Sequence, residues 1–291
     1  MIQWQLMSTA LDHQLKAIFT LLSDQDEKTV DLVRQTLIEI GPEAVPSLER
    51  AQEAAAPHVR RQLQTMVEEI RQNDLESRFR DYAVREETDL DLEEGALLIA
   101  QFCYPDLNPA DCRDELDRLS DEIATRLVHK TRPAEIIHQI NRYLFLEQGF
   151  HGNTRNYYDP DNSYLNRVLD RRTGIPISLS VVYLLVAKRL DLPIVGVGLP
   201  GRFMLKYEDE GSCLFLDAFN HGQILTRDDC VRFLLNSGYD VHTGYFSPAT
   251  ARDILTRMLR NLVYVYGQMK DKERAQRLTR LIHIIQIPAQ G

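Results

Sequence analysis

The sequence predicts an α+β fold in which a buried helix packs on a small antiparallel sheet, with all-helical segments at both ends of the chain. Three observations lead to this prediction. Pro176 opens a run that is apolar from Ile177 to Ala187 except for two serines, as expected of a helix buried on most sides. Short β-branched and aromatic runs bounded by glycine and proline follow it. Both ends of the chain carry apolar residues at helical spacing.

The composition is that of a folded globular protein, with 44% hydrophobic and 26% charged residues among 291. A net charge of −9 and the lack of a long Lys/Arg block argue against nucleic-acid binding. No stretch of about 18 apolar residues occurs, and the N-terminus lacks the basic and apolar segments of a secretion signal. We therefore expect a cytoplasmic protein that does not span a membrane.

We expect neither a metal nor another cofactor. The four cysteines, Cys103, Cys112, Cys213 and Cys230, lack the spacing of zinc ligands and are expected to be reduced. The segment 159–163, DPDNS, imitates the start of a calcium loop, but Tyr164 stands where such a loop requires glycine. Turn formation and helix capping explain that segment better.

Residues 1–74 are predicted to form an appended helical segment. Ser23 or Asp24 can cap a helix with apolar residues at three- and four-residue spacing, and Gly41 can end it. The following segment 40–51, IGPEAVPSLERA, resembles the turn and second helix of a HEAT-type repeat. One such pair cannot bury its own apolar face, so we expect it to pack on other helices and not to form a long solenoid.

The predicted core spans residues 75–245 and begins with helices. An acidic stretch, Glu86–Glu94, suits a solvated helix entry, since acids are favourable near a helix N-terminus. The last of these helices starts at Pro133, has an apolar stripe that continues to Leu146 and ends at Gly149.

The least generic segment, Gly149–Ser180, carries a loop rich in polar and aromatic residues before a short helix that Asp161 or Asn162 can cap. Gly174 ends that helix, and the buried helix follows it. Three strand-like runs come next, PIVGVGLP, RFMLKYE and CLFLDAF, and the third places Asp217 at its end. His221 and Gly222 suit a turn into a fourth run, QILT.

Residues 246–291 are predicted to form a helical hairpin. Apolar positions at helical spacing flank a turn at Gly267–Asp271, and Pro288 lies near the end. The pattern resembles a single tetratricopeptide pair, which is too short for a solenoid. It is expected either to cover the core or to offer a groove for a partner peptide or a second subunit.

The phrases NYYDPDNSYLNRVLDRRTGIPISLSVVYLLVAKRL and LDAFNHGQIL resemble the SirB-type branch of the transglutaminase-like superfamily. A related core occurs in some eukaryotic F-box proteins. The resemblance covers approximately Phe79–Leu235 and is specific over Gly149–Asp217. It implies a papain-like α+β core. In active relatives, a cysteine at the N-terminus of the central helix is activated by a histidine on the next strand, which an aspartate orients.

Residue by residue, the resemblance implies an incomplete triad. The nucleophile position falls on Pro176 and the histidine position on Arg202, so only the acid remains, as Asp217. Without a nucleophile and a base, the acyl-transfer chemistry of the superfamily cannot run. We expect Arg202 and Asp217 to form a structural ion pair.

Two functions remain open. The preferred one is an inert transglutaminase-like scaffold or regulator whose old cleft holds a protein or peptide segment; the cleft residues would be Asn153, Tyr158, Asn162, Ser163, Asn166, Arg202 and Asp217. The alternative is a hydrolase or acyltransferase with a displaced nucleophile, Ser178 or Cys213. His151 or His221 would then act as the base, and Asp217 would remain as the acid. Regulation of gene expression or protein turnover rests on fold-level analogy alone. No sequence feature defines an oligomeric state.

Overall fold

The computed structural model describes residues 27–286. The chain divides into two compact units, one ending at Arg78 and the other beginning at Phe79. The predicted cap at Ser23 or Asp24 and the predicted end at Pro288 lie outside the described residues. The domain boundaries placed after residues 74 and 245 stay predictions.

The first unit is helical. Its helices are α1 (Glu27–Ile40), α2 (Val45–Ala54) and the part of α3 (Pro57–Ala83) up to Arg78, with a 3-10 turn at Gly41–Ala44 between the first two. Gly41 has a φ of 76°, which favours glycine at the end of α1. A cluster of buried side chains holds these helices together, namely Val33, Leu37, Ala44, Val45, Leu48, Leu63, Met66, Val67 and Ile70. The HEAT-type assignment stays a prediction.

The second unit begins with three helices, α4 (Leu92–Gln101), α5 (Pro109–Leu127) and α6 (Pro133–Asn141). Asp91 caps α4 by accepting a hydrogen bond from the backbone NH of Glu94 at 2.9 Å. A π-helical turn at Arg142–Glu147 follows α6. The prediction that Leu146 continues the apolar stripe was wrong: its side chain is 75% exposed, because the wider turn shifts the phase of the helix.

The polar loop leads into a 3-10 turn at Pro160–Asn162 and then α7 (Leu165–Arg171). Capping of α7 by Asp161 or Asn162 was wrong, since Tyr164 occupies the position before the helix. Asp159 instead caps the 3-10 turn, where its carboxylate accepts from the backbone NH of Asp161 at 3.0 Å. Two short parallel strands, β1 (His151–Gly152) and β2 (Thr173–Gly174), close the loop at its base.

The predicted buried helix is α8 (Pro176–Arg189), which packs on β3 and β4 of a four-stranded antiparallel sheet. The sheet order is β3-β4-β5-β6, and its strands are β3 (Ile194–Leu199), β4 (Arg202–Glu208), β5 (Cys213–Asp217) and β6 (Gln223–Leu225). Register pairs Leu199 with Arg202 across a two-residue turn and Leu205 with Leu216. The α+β class predicted from the sequence is therefore confirmed.

Three further helices complete the unit: α9 (Arg227–Asn236), α10 (Ala251–Gln268) and α11 (Lys272–Ile285). The last two pack against each other, and α10 also contacts α4 and α8. Their likeness to a tetratricopeptide pair stays a prediction. Within residues 27–286, no helix is long and apolar enough to cross a membrane.

Candidate functional site

The N-terminus of α8 is the position that the resemblance assigns to a nucleophile. Pro176 occupies its first turn, where the missing NH costs no helical hydrogen bond. A Cβ atom on Gly174 would lie 2.7 Å from the Ser178 hydroxyl oxygen and 3.1 Å from Leu179 Cγ. Any larger residue would push the Ser178 hydroxyl out of place and press on Leu179, so the packing here favours glycine.

Ser178, the alternative nucleophile, is a structural residue of this turn. Its hydroxyl donates to the backbone oxygen of Asn162 at 2.5 Å and accepts from the backbone NH of Ile175 at 3.0 Å. The side chain is 1% exposed. Ser180 likewise donates to the backbone oxygen of Pro176 at 2.7 Å. Both serines are satisfied helix hydroxyls that are bonded to backbone atoms.

Asp217 is 1% exposed and both of its carboxylate oxygens are occupied. Oδ1 accepts from the backbone NH groups of Phe219 at 3.0 Å and Asn220 at 3.3 Å, so Asp217 caps the 3-10 turn Ala218–Asn220. Oδ2 accepts from the side-chain amide of Asn220 at 2.7 Å and pairs with Nη2 of Arg202. The expected Arg202–Asp217 ion pair is therefore present.

The Arg202 guanidinium has two further neighbours on α9. It lies over the ring of Phe233, 5.0 Å from the ring centroid, and it acts electrostatically on the Cys230 thiol. Burial raises the pKa of Cys230 to about 11, although Arg202 acts in the opposite direction. Cys230 is therefore a protonated core thiol at neutral pH, close to the ion pair.

The histidines and Cys213 are held away from Ser178. His151 Nδ1 donates to the backbone oxygen of Gly149 at 2.9 Å, and the ring of His221 packs edge-on to Phe145 with centroids 6.2 Å apart. Cys213 is exposed at the far end of β5, about 13 Å from Asp217 at the usual strand rise. In residues 27–286, no hydrogen bond joins either histidine to Ser178, a cysteine or a carboxylate.

The predicted cleft residue Asn162 is completely buried and organises the polar loop. Its Nδ2 donates to the backbone oxygens of Asn156 at 2.8 Å and Tyr157 at 3.1 Å, and its Oδ1 accepts from Asn153 Nδ2 at 3.0 Å. Asn153 Oδ1 accepts from the backbone NH of Asn156 at 2.9 Å. These amides hold the loop in its shape, and their polar atoms face each other.

The remaining predicted cleft residues differ in exposure. Ser163 is 1% exposed, and within the described chain its hydroxyl has no hydrogen-bond partner. The side-chain oxygen of Asn166 is buried and also lacks a partner there. Tyr158 is 52% exposed, so it presents the largest accessible surface of the set. A binding role for these residues stays a prediction.

Ion pairs fix α7, and with it the approach to Gly174. Arg171 pairs with Asp159 at 2.9 Å and Asp161 at 3.1 Å. Burial opposes ionisation of Asp161, but hydrogen bonds from Tyr104 and Arg167 leave its pKa below the ordinary value. Arg171 and the next residue, Arg172, thus both bind carboxylates at the end of α7.

Glu115 on α5 receives a two-pronged contact from Arg118, at 2.8 Å to each oxygen, and pairs with Arg172. Hydrogen bonding from Arg118 is the main cause that lowers the pKa of Glu115 to about 2, against partial burial, which raises it. A carboxylate whose pKa falls on folding stabilises the folded state above its unfolded pKa. That contribution is lost as the pH falls towards 2.

We expect Glu115→Gln to be destabilising at neutral pH and progressively less so between pH 4.5 and about 2. Urea unfolding at a series of pH values measures the difference from wild type. Glu122→Gln, on the exposed face of the same helix, is the matched control. The same acid dependence in both variants would contradict the assignment to the Arg118–Arg172 contacts.

A groove of about 920 Å³ lies between the β3–β4 turn, the loop at residues 244–249 and α10. This groove was not predicted from the sequence. Arg257, Arg260 and Tyr264 share one helical face at spacings of three and seven residues. That spacing is the sequence pattern from which a surface at this place could have been predicted. Within the described residues, no group of His, Cys, Asp and Glu side chains could hold a metal ion.

Residues 110–260, more than half of the chain, match the Transglutaminase-like superfamily. The protein belongs to this superfamily, in the family of the UPF0162 or SirB-type proteins. The resemblance read from the sequence is therefore confirmed.

Several curated proteins are similar. A UPF0162 protein of Xylella fastidiosa is 39% identical over 199 residues, which cover 65% of this chain and 69% of that protein. A UPF0162 protein of Vibrio cholerae is 32% identical over 139 residues, covering 47% and 51%. F-box only protein 21 of Homo sapiens is 30% identical over 200 residues, covering 58% and 31%. No solved structure gives a significant match.

Proposed function

We propose that this protein is a non-catalytic member of the superfamily that acts in the cytoplasm as a protein- or peptide-binding scaffold or regulator. One observation carries the proposal. Asp217 stands at the position that orients a base in active relatives. Its carboxylate instead binds Arg202 and Asn220 and caps the turn that follows. A carboxylate occupied in this way supports a structural role.

The neighbouring positions support the same conclusion. Acyl transfer needs a nucleophile and a group that removes its proton. Pro176 has no nucleophilic atom, and the guanidinium of Arg202 stays protonated and cannot serve as a base. The site can therefore hold the strands together without performing the superfamily's chemistry.

The alternative, a hydrolase with a displaced nucleophile, receives less support. Ser178 is buried and bonded to backbone atoms, so attack on a substrate would require the start of α8 to open. Cys213 is accessible but lies at the opposite end of β5 from Asp217.

Binding is supported by aromatic side chains near the old cleft. Tyr157, Tyr158 and Tyr264 are 40%, 52% and 53% exposed and lie against each other, with ring centroids 5.3 Å and 5.6 Å apart along the series. Exposed tyrosines in contact are typical of protein interfaces, because a rigid ring buries much area at a small entropy cost.

Assays of ester hydrolysis, peptide hydrolysis and amine transfer test the inert character. We expect wild type, Ser178→Ala and Cys213→Ser to give the same rates as buffer, and a fluorophosphonate probe to leave Ser178 unlabelled. Turnover by wild type that either substitution abolishes would overturn the proposal. Folding of each variant is checked by circular dichroism.

A further inference from the structure

We propose that one face of α10 and the adjoining groove bind an acidic peptide segment of a partner protein, and we call Arg257, Arg260, Tyr157, Tyr158 and Tyr264 the arginine-tyrosine surface. The inference rests on the proposed function, since it assigns a place and a ligand chemistry to the binding activity. Two arginines, three tyrosines and a strand edge carry it, and the five side chains lie outside the old triad.

Arg257 is the anchor of this surface. Its two terminal nitrogens each donate to the backbone oxygen of Leu199 at 3.2 Å, and the guanidinium lies 5.5 Å from the centroid of Phe203. Burial lowers the pKa of Arg257, with Tyr157 acting in the opposite direction. Across residues 27–286, no carboxylate lies within 4 Å of this guanidinium. A half-buried cation without an anion favours one supplied from outside.

Arg260 continues the same face one turn further along α10 and is exposed. It too forms no ion pair within the described chain. Arg252, which also lines the groove, is committed to Glu87 at 3.1 Å. The lining acid Asp253 accepts from the backbone NH of Thr250 at 3.1 Å and caps α10. Two uncompensated arginines side by side are unexpected on a protein whose net charge is −9.

The tyrosines extend the surface beyond the groove. Tyr264 follows Arg260 on the same face of α10, and its ring contacts Tyr158. Tyr157 acts electrostatically on Arg257 and lies edge-on to Phe219, with ring centroids 6.0 Å apart. Loop and helix residues about a hundred positions apart thus form one continuous patch of arginine and tyrosine, the residue types enriched at interface hot spots.

A strand edge offers backbone groups beside the arginines. β3 lies at the edge of the sheet, and Gly198 pairs with Phe203 directly next to the turn-closing pair of Leu199 and Arg202. Hydrogen-bonded and non-bonded pairs alternate in antiparallel strands, so the NH and CO of Gly198 point away from β4. On that side the oxygen of Gly196 accepts from the backbone NH of Ala249 at 2.8 Å, and Val197 forms an antiparallel bridge with Pro248. These residues already cover the edge there, so the exposed backbone of Gly198 is the part that remains beside the arginines.

These features together fit an extended peptide. A guanidinium matches a carboxylate with two parallel hydrogen bonds, the exposed backbone of Gly198 matches one peptide group, and tyrosine rings match proline or aromatic side chains. Charge complementarity selects a segment that carries aspartate or glutamate. A free phosphate ion would use only the arginines.

The test selects peptides from a random twelve-residue display library against the full-length protein and measures binding by fluorescence polarisation. We expect the selected peptides to be enriched in aspartate and glutamate. Arg260→Gln should weaken their binding about tenfold, the value of one charge-assisted hydrogen bond. A Glu→Gln change at the contacting position of the peptide should weaken binding to the wild-type protein by the same factor. It should weaken binding to the Arg260→Gln variant little further.

Two variants and one ion control the experiment. Arg132→Gln removes an arginine that is 81% exposed at the start of α6 and should leave binding unchanged. Arg257→Lys keeps the charge but loses the planar fork that donates twice to Leu199, so an intermediate loss of binding is expected together with a lower melting temperature, which is measured alongside. Inorganic phosphate, present in excess, should compete only weakly.

The outcomes separate the two proposals. If Arg260→Gln and Tyr264→Ala both leave peptide binding unchanged, the arginine-tyrosine surface is refuted as the binding site, while the proposed binding function stands. Failure to select any peptide would overturn both. Selection of basic or uncharged peptides, or phosphate binding as tight as that of the peptide, would overturn the assignment to an acidic peptide.

Discussion

Replacing Asp217 by alanine is expected to lower the free energy of unfolding by about 3 kcal/mol, the lower end of the range for breaking a buried ion pair from one side. The lower end applies because the Arg202 side chain is 23% exposed and can be partly hydrated. The substitution also removes the cap of the turn Ala218–Asn220 and leaves the backbone NH groups of Phe219 and Asn220 without this acceptor.

Urea unfolding followed by circular dichroism measures this loss. Asp170→Ala is the matched control, since Asp170 pairs with Arg167 at 2.7 Å but is 65% exposed, and such surface pairs contribute about 0–1 kcal/mol. The double variant Asp217→Ala, Arg202→Met should lose less than the sum of its single changes, because no charge remains unpaired. Equal stability of the Asp217 and Asp170 variants would refute a structural ion pair.

Asn162→Ala is expected to cost about 2–3 kcal/mol, because this fully buried amide satisfies the backbone oxygens of Asn156 and Tyr157 and the amide of Asn153. Truncation leaves the oxygen of Tyr157 and the side-chain amide of Asn153 without these bonds, while the oxygen of Asn156 keeps the backbone NH of Asp159, and it opens a cavity beneath the loop. The loop should loosen with it, and the tyrosines that it presents should lose their fixed positions.

Chemical denaturation and hydrogen exchange of residues 153–163 together measure this effect. Asn156→Ala makes the same chemical change on the same loop at an exposed side chain and should be close to neutral. We expect faster exchange across the loop in the Asn162 variant alone. Unchanged stability with weaker peptide binding would instead assign Asn162 to the ligand, as the sequence first indicated.

Local patterns of the chain predicted the parts of the fold that depend on them. Pro176 followed by an apolar run predicted α8, and the short β-branched runs predicted the strands that pack against it. The order of these elements, with the resemblance that they carry, placed Arg202 next to Asp217, and the ion pair is present. Each of these predictions depends on neighbours in sequence or on adjacent strands.

Other features depend on how distant segments meet. Asn162 and Tyr158 lie in one polar loop and look alike in sequence, yet one is completely buried and the other is 52% exposed. Two short turns also shift positions by one or two residues. The π-helical turn exposes Leu146, and the 3-10 turn displaces the cap of α7. Patterns of polarity do not resolve such shifts, because the same residues suit either register.

The sequence by itself determined the fold class and the superfamily, and its resemblance to that superfamily predicts Pro176 and Arg202 at the nucleophile and base positions. Only the tertiary structure decided which polar side chains are buried. It also decided which arginines of the described residues have no carboxylate beside them. Arg257 and Tyr157 are a hundred positions apart in the chain and come together through packing of the loop on α10. Helical and strand periods specify which face of an element is apolar, whereas the partner of a polar face is fixed only when the elements pack.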